Sequence, residues 1–235
     1  MDLAVGFDFD HTLGIDNKLE RTVGAELFVE SAAQVGRELA PLDAERALDD
    51  ALAAYRNGEA AIDAALESAY AVVVGIAAPA SLATSFRARA VARAPAFVEP
   101  LPGFAEMLGW LRRRAVRYAL LTNGWSPLQE IKARCIGFDG PMLVSDALGV
   151  RKPEPAAFAR LAELLGERSQ RWYVGDDPLA DVGGALAAGF DAIWFDWEGH
   201  PYPDGLPAPT ATIHRLVELA TVLQGPGAEA ANPVR

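Results

Sequence analysis

Phe7-Asp8-Phe9-Asp10-His11-Thr12-Leu13 decides how this chain is read. Two aspartates stand two positions apart, directly after the apolar run Leu3-Ala4-Val5-Gly6-Phe7. A short apolar run of this kind reads as a buried strand. Side chains alternate along a strand, so Asp8 and Asp10 share a face if the strand continues to Asp10. Carboxylates at the carboxyl end of a parallel strand sit where open α/β sheets bind ligands. A plain strand end followed by an Asp-rich turn has the same local pattern, so the remainder of the chain has to arbitrate.

Four further strand-like segments lie downstream: Tyr118-Ala119-Leu120-Leu121-Thr122, Met142-Leu143-Val144, Trp172-Tyr173-Val174 and Ala192-Ile193-Trp194-Phe195. The first of these is ended by Asn123-Gly124 and the third by Gly175-Asp176-Asp177. Helical spacing runs between them, over residues 104–114, 128–136, 156–165 and 179–188. Strands alternating with helices predict an α/β fold with a doubly wound, Rossmann-like parallel sheet. Asp177-Pro178 predicts a helix start, an N-cap aspartate followed by proline at the first helical position.

Residues 18–97 break the alternation. Leu19, Val23, Leu27, Val35 and Leu39 fall on one helical face. Pro41 restarts a helix toward Tyr55, Asn57-Gly58 breaks it, and two more helices are expected over 60–74 and 81–94. This is the pattern of a helical bundle inserted after the first strand, with Glu99-Pro100-Leu101-Pro102-Gly103 as the return linker. The expected organisation is therefore a core of residues 1–16 and 98–224, helices over 17–97, and a disordered tail over 225–235.

A chain of 235 residues holds one large domain or a domain with an insertion, and its 51% hydrophobic content suffices for a real core. The net charge of −11 argues against non-specific binding to nucleic acid or to acidic membranes. An anionic substrate needs a locally positive pocket or a metal ion to overcome that field. The single cysteine, Cys135, rules out an internal disulfide and is expected to be a packed helix residue. Asp2, Asp8 and Asp10 come too early for a signal peptide. The longest apolar stretch, residues 69–82, is shorter than the roughly 20 residues that span a bilayer. A soluble cytoplasmic protein is the expectation.

Polar clusters follow three strands: Asp8/Asp10/Thr12, Thr122/Asn123 and Asp176/Asp177/Asp181. A fourth, Arg151-Lys152-Pro153, opens a helix. Parallel strands bring their carboxyl ends to one edge, so these clusters should converge. Carboxylates gathered in that number repel one another unless a cation intervenes. A hard, oxygen-liganded ion fits, and Mg2+ is the natural choice.

Together the motifs resemble those of haloacid dehalogenase superfamily phosphatases. The segments concerned are Asp8-Phe9-Asp10-His11-Thr12, Leu121-Thr122-Asn123-Gly124, Ser145-Asp146-Ala147-Leu148-Gly149-Val150-Arg151-Lys152-Pro153 and Val174-Gly175-Asp176-Asp177-Pro178-Leu179-Ala180-Asp181. The inserted helices match that family's helical cap in position and length. The resemblance implies that Asp8 is a nucleophile forming an aspartyl-phosphate, and that Asp10 is the acid–base group. It implies that the Asp8 carboxylate, the Asp10 backbone carbonyl and Asp176 hold magnesium. It gives Thr122, Asn123 and Lys152 to the phosphoryl group, with Thr12 and Asp181 in support. The substrate implied is a small phosphorylated metabolite.

His11 departs from the family's usual glycine and is expected to be a turn or substrate-facing residue. Trp125 is expected either to pack or to face the substrate, and His200 and His214 to be structural. The basic residues Lys18, Arg21, Arg87, Arg89 and Arg93 read mostly as solvated helix faces. Asp10 favours phosphoryl-ester chemistry, since dehalogenases and phosphonate-cleaving enzymes of this superfamily lack an aspartate there. A phosphomutase keeps both aspartates and stays as an alternative. So does a catalytically silent phospho-ligand binding module, although no motif residue is lost. Thr122-Asn123-Gly124, with Gln129 and Lys132, is closer to nucleotidase-like and sugar-phosphate branches than to phosphoglycolate phosphatases.

Overall fold

A computed structural model describes residues 2–225. Most of the expected 225–235 tail lies outside the described residues. In chain order the elements are β1 (Leu3–Phe7), β2 (Gly14–Ile15), α1 (Leu19–Gln34), α2 (Pro41–Arg56), α3 (Ile62–Val74), α4 (Leu82–Phe97), β3 (Glu99–Pro100), α5 (Phe104–Arg113), β4 (Arg117–Thr122) and α6 (Leu128–Cys135). There follow β5 (Met142–Val144), α7 (Ser145–Leu148), α8 (Pro155–Leu165), β6 (Gln170–Gly175), a π-helical turn Pro178–Gly183 leading into α9 (Gly184–Ala187), β7 (Asp191–Phe195), β8 (Ala211–Ile213) and, after a short 3-10 turn, α10 (Leu219–Gln224). The chain divides into two compact units. Among the described residues, one joins 2–15 to Pro100–Asn123 and 138–225; the other is Asp16–Glu99 with Gly124–Gly137.

The first unit is built on a six-stranded sheet in the order β5-β4-β1-β6-β7-β8. Every pairing in it is parallel, as the alternation of strands and helices predicts. All five residues of β1 are buried, which accounts for its unbroken apolar run: a central parallel strand is covered on both faces. Alternate residues Ala119 and Leu121 of β4, Tyr173 of β6, and Ala192 and Trp194 of β7 form one face of the core with Phe158, Leu161 and Leu165 of α8. Phe158 packs edge-on against Tyr173 at 5.1 Å between ring centroids. The edge strand β8 was not expected from the sequence. Its middle residue, Thr212, is polar and exposed, so it shows no continuous apolar run.

Register sets the site. Phe7 is opposite Leu120 on one side and Val174 on the other, so the residues just past each strand emerge at one edge. The strand stops at Phe7 and does not continue to Asp10. The Phe9 carbonyl accepts hydrogen bonds from the amides of Thr12, Leu13 and Gly14, and His11 takes φ 59°, so the chain turns sharply.

The second unit is helical. Its helices correspond to the expected ones, with two differences. α1 ends at Gln34, where Gly36 takes φ +70°, and Val35 is exposed rather than on the buried face. α4 runs on through Pro95 to Phe97. Four of the arginines pair with carboxylates of neighbouring helices: Arg21 with Glu45 and Asp49 at 3.0 and 2.8 Å, Arg87 with Asp63 at 2.8 Å, Arg89 with Glu30 at 2.6 Å, and Arg93 with Glu26.

α6 also belongs to this unit, not with the core segment 98–224 where the sequence placed it. Trp125 is buried, and its Nε1 donates to Glu20 Oε1 at 2.7 Å. Lys132 is fully buried, with Nζ 3.0 Å from Asp16 Oδ2. Burial pushes the Glu20 carboxyl up, with Lys132 opposing it. Leu128, Gln129, Lys132 and Ala133 form the buried face of α6. Cys135 falls off that stripe and is exposed, contrary to the expectation that it packs. Among the described residues no helix is long and apolar enough to cross a membrane.

Gly6, in the middle of β1, leaves no room for a side chain. A Cβ there would sit 2.5 Å from Leu161 Cδ2 and 2.8 Å from Tyr173 Cδ2. Gly6→Ala is therefore expected to destabilise the protein by about 1–3 kcal/mol through overpacking. Equilibrium denaturant unfolding checks this: the midpoint should fall while the slope stays constant.

Candidate active site

Lys152 organises the site. It is buried, and its Nζ lies 2.6 Å from Asp8 Oδ1 and 2.6 Å from Asp181 Oδ1. Burial alone would favour loss of the proton. The Asp181 and Asp8 carboxylates outweigh it, and the lysine is held as an ammonium, well above its ordinary value. The Tyr173 ring adds a cation–π contact, its centroid 5.5 Å from Nζ.

Asp8, Asp176 and Asp181 each offer a carboxylate oxygen, all within 4.8 Å of one another. Asp181 sits in the π-helical turn, where the Val182 amide reaches back five residues to the Asp177 carbonyl. Such wide turns recur at functional sites. The second Asp181 oxygen accepts the Asp177 amide at 3.0 Å. Gly175 allows the approach, since a Cβ on it would lie 2.2 Å from Asp181 Oδ2. Asp177 itself caps the turn, accepting the amides of Leu179 and Ala180 at 2.8 Å each.

Lys152 pairs with two of the three carboxylates, and its single charge leaves the cluster net negative. Asp176 has instead the buried Thr12 hydroxyl, which donates to its Oδ1 at 3.3 Å. Burial, then the nearby Asp181 and Asp8 charges, push Asp176 up to about 9. Burial also pushes Asp181 up, to about 7, with Lys152 opposing. Three hard oxygen donors with surplus negative charge are what a small divalent cation requires, and such an ion would restore the ionised form of Asp176. The donor set fits the expected metal. Within it the Asp181 oxygens accept from Lys152 Nζ and the Asp177 amide, so Asp8 and Asp176 are the carboxylates left to face an ion.

The remaining expected residues are placed as follows. Thr122 is buried at the end of β4. Asp10 is half-buried and forms a bridge with Gly14. Asn123 was expected to touch the phosphoryl group, but its side chain holds the backbone of Lys152: Nδ2 donates to the Lys152 carbonyl and Oδ1 accepts the Lys152 amide, both at 2.9 Å. Trp194, read from sequence only as part of a strand, donates from Nε1 to the Asp176 carbonyl at 2.9 Å. Its place two residues into an apolar run carries no sign of that contact.

The sequence profile of haloacid dehalogenase-like hydrolases matches residues 3–189. The chain belongs to that family. Within it, a pyrimidine 5'-nucleotidase of Escherichia coli is 34% identical over 130 residues, 53% of this chain and 56% of that protein. The chain thus spans about half the length of this relative. A phosphoglycolate phosphatase of Rhodospirillum rubrum is 30% identical over 215 residues, 82% of this chain and 79% of its own length. Among solved structures, the hydrolase YfnB of Bacillus subtilis, bound to magnesium, superposes with a TM-score of 0.72 at 22% identity, covering 94% of this chain and 97% of its own. That likeness is one of fold.

Asn123→Ala removes both hydrogen bonds to the Lys152 backbone and leaves its amide and carbonyl unpaired. A loss of about 1–3 kcal/mol is expected, read as a lower thermal midpoint than for the wild type.

Proposed function

We propose that the chain is a magnesium-dependent phosphatase that hydrolyses a small phosphorylated metabolite through an aspartyl-phosphate at Asp8. The observation that carries this reading is the buried Lys152 ammonium joined to Asp8 and Asp181 beside the Asp176 carboxylate. A permanent cation next to a buried carboxylate suits an anionic substrate and the charge that spreads over phosphoryl oxygens in the transition state. The family and its named phosphatase and nucleotidase members support it.

In the first step an Asp8 oxygen attacks phosphorus and the bond to the leaving oxygen breaks. Asp10 gives its proton to that oxygen. In the second step Asp10 takes a proton from water as the water attacks phosphorus, releasing inorganic phosphate and regenerating the Asp8 carboxylate. Lys152 and Thr122 hold phosphoryl oxygens, and Asp181 and Asn123 hold Lys152 in place. Asp8, the Asp10 carbonyl and Asp176 would hold magnesium, with Thr12 orienting Asp176. When bound, the ion neutralises charge on the phosphoryl group and on Asp8. A cytoplasmic setting, without a nucleic-acid or membrane partner, belongs to the same proposal.

Turnover of an aryl phosphate tests the reading. Inorganic phosphate should be released with magnesium, stop in excess chelator and return on adding magnesium, and be absent in a folded Asp8→Asn variant. Transfer to a sugar acceptor without net phosphate release would mark a phosphomutase. Binding without turnover would mark a silent module.

Asp10→Asn should damage alkyl phosphates more than aryl phosphates, because an aryl leaving oxygen scarcely needs a proton. The alkyl defect is expected to approach about 10²–10⁴-fold, the contribution of general acid catalysis. The comparison is kcat/KM for both substrate classes, which reports the first step. Equal losses on both would move Asp10 from the acid role to a positioning one.

A further inference from the structure

Tyr173 of β6 stands opposite Gly6 of β1, and Gly6 stands opposite Ala119 of β4. The missing side chain on Gly6 leaves a trough across the central strand. A Cβ there would lie 2.8 Å from Tyr173 Cδ2 and 3.3 Å from Cε2, so the tyrosine ring fills that space. It passes over β1, which separates β6 from β4, and its hydroxyl donates to the Leu121 carbonyl of β4 at 2.7 Å. The residue is buried, with Phe158 packed edge-on against it. Burial holds the phenol well above its ordinary value, with Lys152 opposing and the Asp181 and Asp8 carboxylates reinforcing. The donor therefore keeps its proton.

Two parts of the site rest on this one side chain. The Lys152 ammonium lies over its ring, 5.5 Å from the centroid, and its hydroxyl grips the residue just before Thr122. We propose that Tyr173 is a positioning residue for phosphoryl transfer, supporting Lys152 with its ring and the Thr122 end of β4 with its hydroxyl. The inference rests on the phosphatase reading and adds a residue to it.

Packing alone does not call for a tyrosine here. The surrounding face is built of Phe158, Leu161 and Leu165, and a phenylalanine would fill such a slot without a hydroxyl to satisfy. The chemistry does call for a support of this kind. Lysine is a point charge on a flexible stem. When an Asp8 oxygen bonds to phosphorus, the ammonium has to turn from Asp8 to the phosphoryl oxygens. Asp181 stays as a partner on one side, and the ring attracts the ammonium whichever way its three protons point. The hydroxyl bond joins β6 directly to β4, so Thr122 and Lys152 are held to a common frame. Small misplacements of such groups are costly, about 10²-fold for 1 Å.

The test is kcat/KM for an aryl phosphate and inhibition by orthovanadate, both in magnesium. It uses the wild type, Tyr173→Phe, Tyr173→Leu and Leu165→Ala. Leu165 is buried in the same core face and shows what lost packing does by itself. Tyr173→Phe keeps the ring and should lose about two- to tenfold in kcat/KM, the scale of one neutral hydrogen bond. Tyr173→Leu gives up the ring as well and should lose about ten- to a hundredfold. Orthovanadate should bind more weakly in the same order. Leu165→Ala should lower the thermal midpoint and leave both quantities at wild-type values. If Tyr173→Leu does not fold, Tyr173→Phe decides alone. Wild-type values in folded Tyr173→Phe, or a loss in Leu165→Ala as large as in Tyr173→Phe, would overturn the positioning role while the phosphatase reading stands. No turnover by the wild type would overturn that reading and the role with it.

Discussion

A lysine ammonium buried between two carboxylates is the constraint around which the core unit is arranged. Such a group is tolerable only when paired and hydrogen-bonded, because removing one partner leaves an uncompensated charge in a poorly solvated place. The surroundings of Lys152 meet that demand from every side. Asp8 and Asp181 take its charge, Tyr173 presents a ring face, and Asn123 fixes its backbone. The side-chain-free Gly175 leaves space for Asp181 to come close. Tyr173, Asn123 and Gly175 are thus tied to the same electrostatic need as the carboxylates themselves.

The parallel sheet is what makes this arrangement possible. Asp8, Asn123 and Asp176 lie far apart in the chain, yet each follows one of three adjacent strands, β1, β4 and β6. The register that pairs Phe7 with Leu120 and Val174 brings them to one edge without any long loop. The Asp8 amide still donates to the Val174 carbonyl at 2.9 Å, so the nucleophile candidate is carried on strand-like backbone and not on a free loop.

Much of this was legible in the sequence, for physical reasons. Buried parallel strands need continuous apolar runs, so β1 and β4 to β7 announced themselves, whereas β8, with the polar, exposed Thr212 at its centre, could not. Polar residues directly after such runs pointed to one edge, and Asp8, Thr12, Lys152, Asp176 and Asp181 are gathered there. Asn123 shows the limit: an amide can serve a ligand or a backbone equally well, and only the fold shows that it clamps Lys152. Glu20 and Lys132 were hidden for another reason. Charged residues on a helix are read as solvated, and nothing local says that Trp125 and Asp16 wait for them inside. The short α6 followed a core strand in sequence and was counted with it, although its buried face belongs to the helical unit.

That last feature bears on modularity. The helical unit is assembled from two separated stretches of chain, and the shorter one supplies Trp125 and Lys132, the partners of Glu20 and Asp16. Excised as residues 17–97 alone, the helices would face water with a vacant indole slot and a buried glutamate deprived of its donor. Swapping such a unit between relatives therefore means exchanging two segments at once, and inheritance of the insertion by a single cut-and-paste event would leave its interior incomplete.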